Sequence, residues 1–319
     1  MAYQACCHPD KLYSLYGQTR RTMKIIRRTI LITAIFFIGF AVYTQWDKLQ
    51  NYQWDFQISW LVLSLITLMA SLFLGPFGWY LVLRSLRQKL SYKKSFYIWT
   101  TSSVAKYIPG TIWSYVSRAA HAKNEDIKIG PIAASIYIEQ ILLVITSLAV
   151  GIPIFIKSSN PIITPLYLIL ALITLFIIIH PKFFNLLTHI PGRVGKAVEN
   201  VQFSTTTSLS GLYLFYIFHW LIFSIAFIFF INSISPVMPE QYFYIGSALA
   251  ASFFVSFIFI IFPSGIGIRE SILYFLLLNY FPETVSLAVA VGSRLWLITG
   301  ELFAVAIAIY WSKKWNSYE

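Results

Sequence analysis

Long apolar runs, each close to the length that crosses a lipid bilayer, are the feature that most constrains this chain. Its 319 residues are 58% hydrophobic and 11% charged, whereas soluble globular proteins carry about 25% charged residues. A transmembrane helix needs roughly 20 consecutive apolar residues, and such runs recur between residues 29 and 311. The sequence therefore predicts an all-α, polytopic bundle of membrane helices without a soluble domain of useful size.

Eight transmembrane spans are predicted from these runs. Their approximate bounds are 29–45, 58–83, 132–156, 161–180, 209–231, 242–262, 266–281 and 284–311. The basic residues agree with this number of crossings, because nineteen of the 24 Lys and Arg residues fall on one side and two on the other. Cytoplasmic loops carry an excess of Lys and Arg, so the pattern places both termini in the cytoplasm, at a bacterial inner membrane.

The predicted organisation is a basic cytoplasmic tail over residues 1–28, a transmembrane domain over 29–311 and a short cytoplasmic tail over 312–319. The first span lacks a small-residue cleavage site and is predicted to be an uncleaved signal anchor. Met23 begins a stretch typical of a bacterial start, so residues 1–22 are either a disordered tail or an addition in front of the natural start.

The net charge of +12 follows from the basic loops and does not indicate nucleic acid as a partner. Cys6 and Cys7 are adjacent, and neither a disulfide framework nor a metal site can be built from them. We therefore expect no metal and no cofactor.

The first interruption of the hydropathy pattern lies in residues 95–118, between two basic stretches. Pro109 and Gly110 break it in the middle. A full crossing here would upset the alternation of loop charges, so we predict a re-entrant pair of half-helices. Broken backbone at membrane depth is tolerated only where it is buried in protein or lines a wet cavity.

The second interruption lies in residues 262–271, where Pro263, Gly265 and Gly267 disrupt the helix. The span at 266–281 is then barely long enough to cross. Each interruption follows the second span of a four-span set, which suggests two parallel repeats with a binding site at the breaks. Two unrelated surface turns would give the same pattern.

Six charged residues fall at predicted membrane depth, three of each sign: Lys106, Arg269, Arg294, Glu139, Glu270 and Glu301. A charge at the bilayer centre costs at least about 2.5–3.5 kcal/mol, so each should pair or face water. Arg294 and Glu301 are seven residues apart and share a helix face, whereas Glu139 needs a basic partner from another helix. The charges are either structural pairs or the lining of a cavity for an anionic headgroup. Basic side chains beside broken helix ends favour an anion, because free helix N-termini add N–H donors and positive potential.

Other polar and aromatic residues allow two interpretations as well. His219 lies in the middle of a span and could relay protons, although a hydrogen-bonded structural histidine is the favoured interpretation. Tyr107, Trp113 and Tyr115 could contact lipid or sugar, and packing around the re-entrant segment explains them equally well.

The segments KYIPGTIWSYVSR and FPSGIGIRE, in this order on this hydropathy profile, resemble the lysylphosphatidylglycerol synthase transmembrane region, also called the flippase-like domain family. Members typically carry Tyr-x-Pro-Gly after the second span and Pro-x-Gly-x-Gly-x-Arg-Glu near the end. The resemblance covers residues 25–311. Ser264 stands where the family often has Gly, and Gln140 stands where Arg is common, which removes a charge.

The resemblance implies translocation of a charged lipid between leaflets. That lipid is aminoacylated phosphatidylglycerol in some members, and others resemble accessories of envelope glycan or glycolipid pathways. Carried over to this sequence, the family pattern selects Tyr107, Pro109, Gly110, Arg118, Glu139, Pro263, Gly265, Gly267, Arg269, Glu270 and Arg294. The synthase domain of the bifunctional members is missing, so the chain is not expected to make aminoacyl lipids.

The leading hypothesis is a translocase, not an enzyme, of an anionic phospholipid or a lipid-linked sugar. Its headgroup would meet the residues above together with Lys106 and Glu301. No G-x-x-x-x-G-K-[ST] loop is present, so transport would be passive or ion-coupled. One alternative is a non-transporting scaffold that binds envelope-synthesis enzymes. Another is a membrane-embedded glycosyl- or acyltransferase, with Asp47 and Asp55 as its candidate acidic groups.

Overall fold

The computed structural model describes residues 50–52, 54–107, 113–156, 209–258 and 267–315, with 43, 165 and 169 as isolated positions. Within this part the regular structure is eight helices and two 3-10 turns, without a strand. This confirms the all-α prediction. Apart from these isolated positions, the predicted spans 29–45 and 161–180 lie outside the described residues, as do the Pro and Gly residues at 109, 110, 263 and 265.

Four helices are long. They are α1 (Ile58–Ser85), α4 (Ile129–Ile156), α5 (Leu209–Asn232) and α8 (Glu283–Trp315). All four have a stretch long and apolar enough to cross a membrane, which agrees with the spans predicted at these places. Since α8 continues to Trp315, residues 312–315, assigned to the tail, are helical.

The other four helices are short. They are α2 (Tyr92–Ser103), α3 (Trp113–Lys123), α6 (Tyr242–Ile258) and α7 (Ile268–Leu277). At 1.5 Å per residue, α2, α3 and α7 are about 15–18 Å long, roughly half of a hydrocarbon core of about 30 Å. The 3-10 turns are Val104–Tyr107 and Pro239–Gln241.

The first hairpin consists of α2 and α3 and opens on one side of the bundle. Lys94, near the start of α2, forms an ion pair with Glu125, just after α3, with 2.7 Å between Nζ and Oε2. Phe96 also packs against Trp311, near the end of α8, with ring centroids 5.4 Å apart. Both arms therefore begin and end on the side where α8 ends, which confirms the predicted re-entrant pair of half-helices.

The second hairpin consists of α6 and α7 and opens on the opposite side. Tyr244, near the start of α6, stacks on Tyr280, just after α7, with centroids 6.3 Å apart. The Tyr274 hydroxyl donates to Glu283 Oε1, at the start of α8, over 3.2 Å. The short span predicted at 266–281 is thus a ten-residue helix that reaches the middle of the bundle and does not cross by itself.

The two sets of helices, α1–α4 and α5–α8, are related by inversion. The Gln57 N–H, at the start of α1, donates to Ser233 O, at the end of α5, over 3.0 Å, so α1 and α5 run antiparallel. Each helix contact in one set has its counterpart in the other: α2 packs on α8 as α6 packs on α4, and α1 packs on α8 as α5 packs on α4. The predicted parallel repeat is therefore wrong, because the two hairpins open on opposite sides.

Close approach of the helices depends on small residues at the crossings. A Cβ atom at Gly78 would lie 2.7 Å from the Tyr216 hydroxyl oxygen, where α1 meets α5. A Cβ atom at Gly300 would lie 2.5 Å from Leu68, where α8 meets α1. Small residues commonly allow such contacts between membrane helices. Trp296 Nε1 also donates to Ser64 Oγ over 3.2 Å, which holds α8 on α1.

The hairpin geometry predicts a labelling pattern for single cysteines in a Cys6→Ser, Cys7→Ser background. Lys89, Asn124 and Glu240 are all exposed. Since α3 returns to the side where α2 begins, Lys89→Cys and Asn124→Cys should react with an impermeant maleimide from the same side of sealed vesicles. Glu240→Cys should react from the other side. Labelling of Asn124→Cys from the Glu240 side would show that the α2–α3 segment crosses the membrane.

Candidate functional site

The tips of the two hairpins meet α8 from opposite sides. Lys106 and Tyr107 lie at the tip of the first hairpin, in the 3-10 turn that follows α2. Residues 267–270 lie at the tip of the second hairpin, at the start of α7. Their partners on α8 are Arg294 and Glu301, which are seven residues, or about 10 Å, apart along the helix. We call this group the central cluster: Lys106, Tyr107, Gly267, Arg269, Glu270, Arg294 and Glu301.

Glu301 binds the tip of the first hairpin. Its carboxylate forms an ion pair with Lys106 through Oε1 and accepts a hydrogen bond from the Tyr107 hydroxyl at Oε2 over 2.8 Å. The Tyr107 ring also lies near two cations, with Lys106 Nζ at 5.3 Å and Arg294 Cζ at 5.8 Å from its centroid. These distances are within the range of cation–π attraction. Arg294 and Glu301 therefore share a face, as predicted, and meet at Tyr107.

Glu270 binds the tip of the second hairpin to α8. Its Oε2 accepts a hydrogen bond from the Gly267 N–H over 2.8 Å, so it caps the N-terminus of its own helix. Its Oε1 accepts from Arg294 Nη1 at 3.4 Å, which is long for a charged hydrogen bond. Gly267 has a φ of 88°, a backbone conformation that side chains other than glycine rarely adopt. The tip thus depends on Gly267 for its shape.

The central cluster has more positive than negative charge. It contains three cations and two carboxylates, and Arg269, which is half-buried, interacts electrostatically with Glu270, Arg294 and Glu301. Within the described ranges, Arg294 Nη2 is buried and has no hydrogen-bond partner. A net charge of about +1 and an unused guanidinium donor leave the cluster suited to one further anionic group.

A second group of polar residues surrounds Glu139, and we call it the Glu139 centre. Arg118, on α3, forms an ion pair with Glu139, on α4, through Nη1 and Oε2. Trp99 Nε1 donates to Glu139 Oε1 over 2.6 Å. The Arg118 guanidinium lies 5.3 Å from the ring of Trp79 and 5.2 Å from that of Trp99. The Arg118 and Glu139 side chains are only 4% and 0% exposed, so Glu139 has the basic partner from another helix that it was predicted to need.

Arg118 is one of the nineteen basic residues that the charge pattern assigned to the cytoplasmic loops, and the structure corrects this assignment. It lies inside α3 on the same face as the buried residues Ser114 and Ala122. This spacing of four residues on both sides was the signal in the sequence, because it gives α3 a buried face at the position of Arg118. Trp79 and Trp99 carried no such signal, since aromatic residues in apolar helices usually pack or face lipid.

The structure separates the predicted site residues into two groups. Seven of them form the central cluster, and Arg118 and Glu139 lie in the Glu139 centre. The predicted residues Pro109, Gly110, Pro263 and Gly265 lie outside the described residues.

Two secondary expectations can be compared with the structure. Trp113 is 44% exposed, which leaves both interpretations of this residue open. His219 stacks on Trp220 with centroids 6.4 Å apart, and its Nδ1 is buried without a partner among the described residues. The interpretation of His219 as a hydrogen-bonded structural residue stays a prediction.

Comparison with known proteins identifies the family. The family model described as Lysylphosphatidylglycerol synthase TM region matches residues 28–299. The chain belongs to this family. The match confirms the resemblance drawn from the two Pro/Gly motifs, and it includes both hairpins and Arg294 but stops before Glu301. No curated protein and no solved structure matches the chain significantly.

Removing one partner of the buried ion pair should destabilise the protein strongly. Glu139→Gln leaves Arg118 charged and unpaired in the interior, so we expect unfolding to become easier by about 3–5 kcal/mol. Glu125→Gln breaks the partly exposed pair with Lys94 and should cost at most about 1 kcal/mol. Denaturant unfolding in detergent micelles measures both. Equal effects of the two changes would show that the Arg118–Glu139 pair contributes no more than a surface pair.

Gly267→Ala should strain the tip of the second hairpin. An L side chain at a φ of 88° costs roughly 1–3 kcal/mol, so we expect a lower thermal unfolding midpoint. Gly211→Ala is the matched control because Gly211 is exposed and helical, and the change there should be neutral or slightly stabilising. A Gly267→Ala protein as stable as the control would mean that the tip adopts another conformation in the membrane.

Proposed function

We propose that the chain moves an anionic lipid headgroup between the leaflets of its membrane, and that the central cluster binds this headgroup. The observation that carries the proposal is the combination of a net positive charge with the buried, unpartnered Nη2 of Arg294. A buried guanidinium donor without a partner is costly, and an anionic group offers it a charge-assisted hydrogen bond.

Family membership supports the same class of function. The chain is a membrane protein of the Lysylphosphatidylglycerol synthase TM region family, which indicates a part in envelope lipid biogenesis. Within that class, the cluster suits a phosphate, which both an anionic phospholipid and a lipid-linked saccharide carry. Arg294 and Arg269 would bind it, since guanidinium groups match the oxygens of a phosphate.

The surroundings of α8 suit a substrate that is half polar and half apolar. Arg294 and Glu301 lie on the face of α8 that meets the hairpin tips. The neighbouring residues Leu295 and Leu302 are 65% and 61% exposed and face the lipid. A headgroup bound at the central cluster could therefore keep its acyl chains in the bilayer, which avoids the large cost of moving them through the protein.

The inverted arrangement of the hairpins supports transport over a purely structural role. Inverted repeats with discontinuous helices that meet near the bilayer midplane are typical of transporters. Each hairpin opens on one side, so a shift of either tip exposes the central cluster to that side alone. We propose that the α2–α3 hairpin opens on the cytoplasmic side of a plasma membrane. Lys89, Lys93 and Lys123 are exposed at its open end, and cytoplasmic loops carry an excess of Lys and Arg.

A leaflet-exchange assay in proteoliposomes tests this function. Fluorescent phosphatidylglycerol would be followed with an impermeant quencher, and fluorescent phosphatidylcholine would serve as the probe without net charge. We expect the wild type to accelerate exchange of the anionic probe. Arg294→Gln should slow it about 10- to 100-fold, because a hydrogen bond to a charged group contributes about 1.5–3 kcal/mol. Arg269→Ala and Glu270→Ala should also slow it.

Lys94→Gln is the matched control for the loss of one positive charge. Lys94 lies at the open end of the first hairpin, away from the tips, so exchange should persist in this variant. If phosphatidylglycerol does not move, a fluorescent lipid-linked sugar phosphate is the second probe. If neither moves faster with protein than without it, the translocase proposal fails and a scaffold role gains weight. Equal slowing by Lys94→Gln and Arg294→Gln would place the site elsewhere.

A further inference from the structure

The Glu139 centre contains more polar atoms than its hydrogen bonds satisfy. Arg118 Nε, the Tyr216 hydroxyl and His219 Nδ1 are all buried, and none has a hydrogen-bond partner in the part of the chain that the structure describes. Tyr216 is fully buried and close enough to Glu139 and Arg118 to interact with both electrostatically. The proposed binding of a headgroup at the central cluster uses none of these atoms.

Two glycines of α1 bring these groups together. A Cβ atom at Gly75 would lie 3.2 Å from the Trp99 ring and 3.8 Å from His219 Cε1, and one at Gly78 would lie 2.7 Å from the Tyr216 oxygen. Because both positions lack a side chain, α2 and α5 approach α1 closely. Trp99, Tyr216 and His219 therefore converge on the region that contains Glu139.

Unsatisfied polar atoms in such a place predict bound water. Buried polar groups are nearly always hydrogen-bonded, and a buried water typically makes about three hydrogen bonds to groups that otherwise lack a partner. An Arg Nε can only donate, whereas a Tyr hydroxyl can donate and accept, and a His nitrogen does either according to its protonation. This set can hold a water molecule against a carboxylate.

Buried hydroxyl groups lie along α2 on both sides of Trp99. Ser95, Trp99 and Ser102 follow one another at spacings of four and three and share a face of the helix. The hydroxyls of Ser95, Thr100 and Ser102 are buried without a hydrogen-bond partner among the described residues. Ser95 is next to Lys94, at the open end, and Trp99 donates to Glu139. Ser95 therefore provides a hydrogen-bonding position between the open end and Trp99, whereas Thr100 and Ser102 follow Trp99 toward the tip of the hairpin.

We propose that Glu139, with Arg118 and Tyr216, forms a hydrated proton-binding site separate from the central cluster. Glu139 takes a proton from a hydronium ion that enters through water from the Lys94 side, which leaves a water molecule, and becomes a neutral carboxylic acid. Arg118 is released from the ion pair at the same time. The reverse step returns the proton to water, and no other bond forms or breaks.

The groups that face Glu139 are suited to this exchange. They are Trp99 from α2, which donates to Glu139, Arg118 from α3, which pairs with it, and Tyr115 from α3 and Tyr216 from α5, which interact with it electrostatically. Arg118 is the permanent charge among them. Chains of Glu and His side chains inside membrane helices commonly relay protons.

The first hairpin connects this site to the central cluster. Its tip carries Lys106, which pairs with Glu301, and its arms carry Trp99 and Arg118, which contact Glu139. A headgroup that displaces Glu301 from Lys106 shifts the same hairpin that holds Arg118 against Glu139. Movement of the headgroup and binding of the proton are therefore coupled through the first hairpin. This coupling rests on the proposed function, whereas proton binding itself does not.

The inverted repeat places the two ion pairs at corresponding positions with their signs exchanged. Arg118 and Glu139 join α3 to α4, and Glu270 and Arg294 join α7 to α8. The corresponding residue of the long helix is thus a carboxylate in one set and a guanidinium in the other. One repeat is suited to a proton, and the other is suited to an anion.

Infrared difference spectroscopy on the full chain in lipid nanodiscs tests proton binding without any transport. Lowering the pH should produce the C=O band of a buried protonated carboxyl in the wild type. The double variant Arg118→Met, Glu139→Met removes the pair without leaving an unpaired charge, so it should fold and lack this band. Tyr216→Phe should shift the band, because it removes one hydrogen bond to the bound water. Tyr213→Phe and Glu125→Gln are controls and should leave it unchanged.

Leaflet exchange of fluorescent phosphatidylglycerol under an imposed pH gradient tests the coupling. We expect the gradient to change the wild-type rate several-fold, the double variant to lose this response, and Tyr216→Phe to weaken it. An unchanged infrared band in the double variant would overturn the proton site. A normal band with exchange that ignores the gradient would overturn the coupling. A normal band with no lipid exchange under any condition would support the proton site and remove the proposed function instead.

Discussion

The cost of charge in an apolar interior governs this structure. A charged side chain inside the membrane must find a partner or water, and here the partners lie on different helices. Lys106 pairs with Glu301, Arg118 with Glu139, and Arg294 with Glu270. Each pair joins a short helix or its tip to a long one. Since the short helices cannot span the bilayer, these pairs fix how deep the hairpins reach.

The central cluster and the Glu139 centre differ in how their charges are paired and buried. Both α2–α3 and α6–α7 reach the middle of the bundle, from opposite sides, and their tips meet on α8. The central cluster there is loosely paired, with a long Arg294–Glu270 contact of 3.4 Å and an unused donor. The Glu139 centre is tightly buried and surrounded by unsatisfied polar atoms. The central cluster is therefore suited to an anion that binds and leaves, and the Glu139 centre is suited to a proton that does so.

Much of the fold could be predicted because hydropathy and loop charge follow directly from the bilayer. The long helices lie where the apolar runs predicted them, and the re-entrant segment followed from the basic residues on both of its sides. The direction of the repeat could not be predicted in this way. The pattern predicted a short crossing over residues 266–281, but a ten-residue helix is too short for hydropathy to show whether it crosses or turns back.

The sequence by itself determined that this chain is a helical membrane protein, that two segments break inside it, and that charges lie at membrane depth. These properties depend only on the order of residues along the chain, because the length of each apolar run is compared with the fixed thickness of the bilayer. The tertiary structure alone decided which charges meet. Arg118 looked like a loop residue, yet it is buried against Glu139, because α3 folds back along α2 and packs on α4. Pairing across helices depends on how the hairpins pack, which no local pattern records.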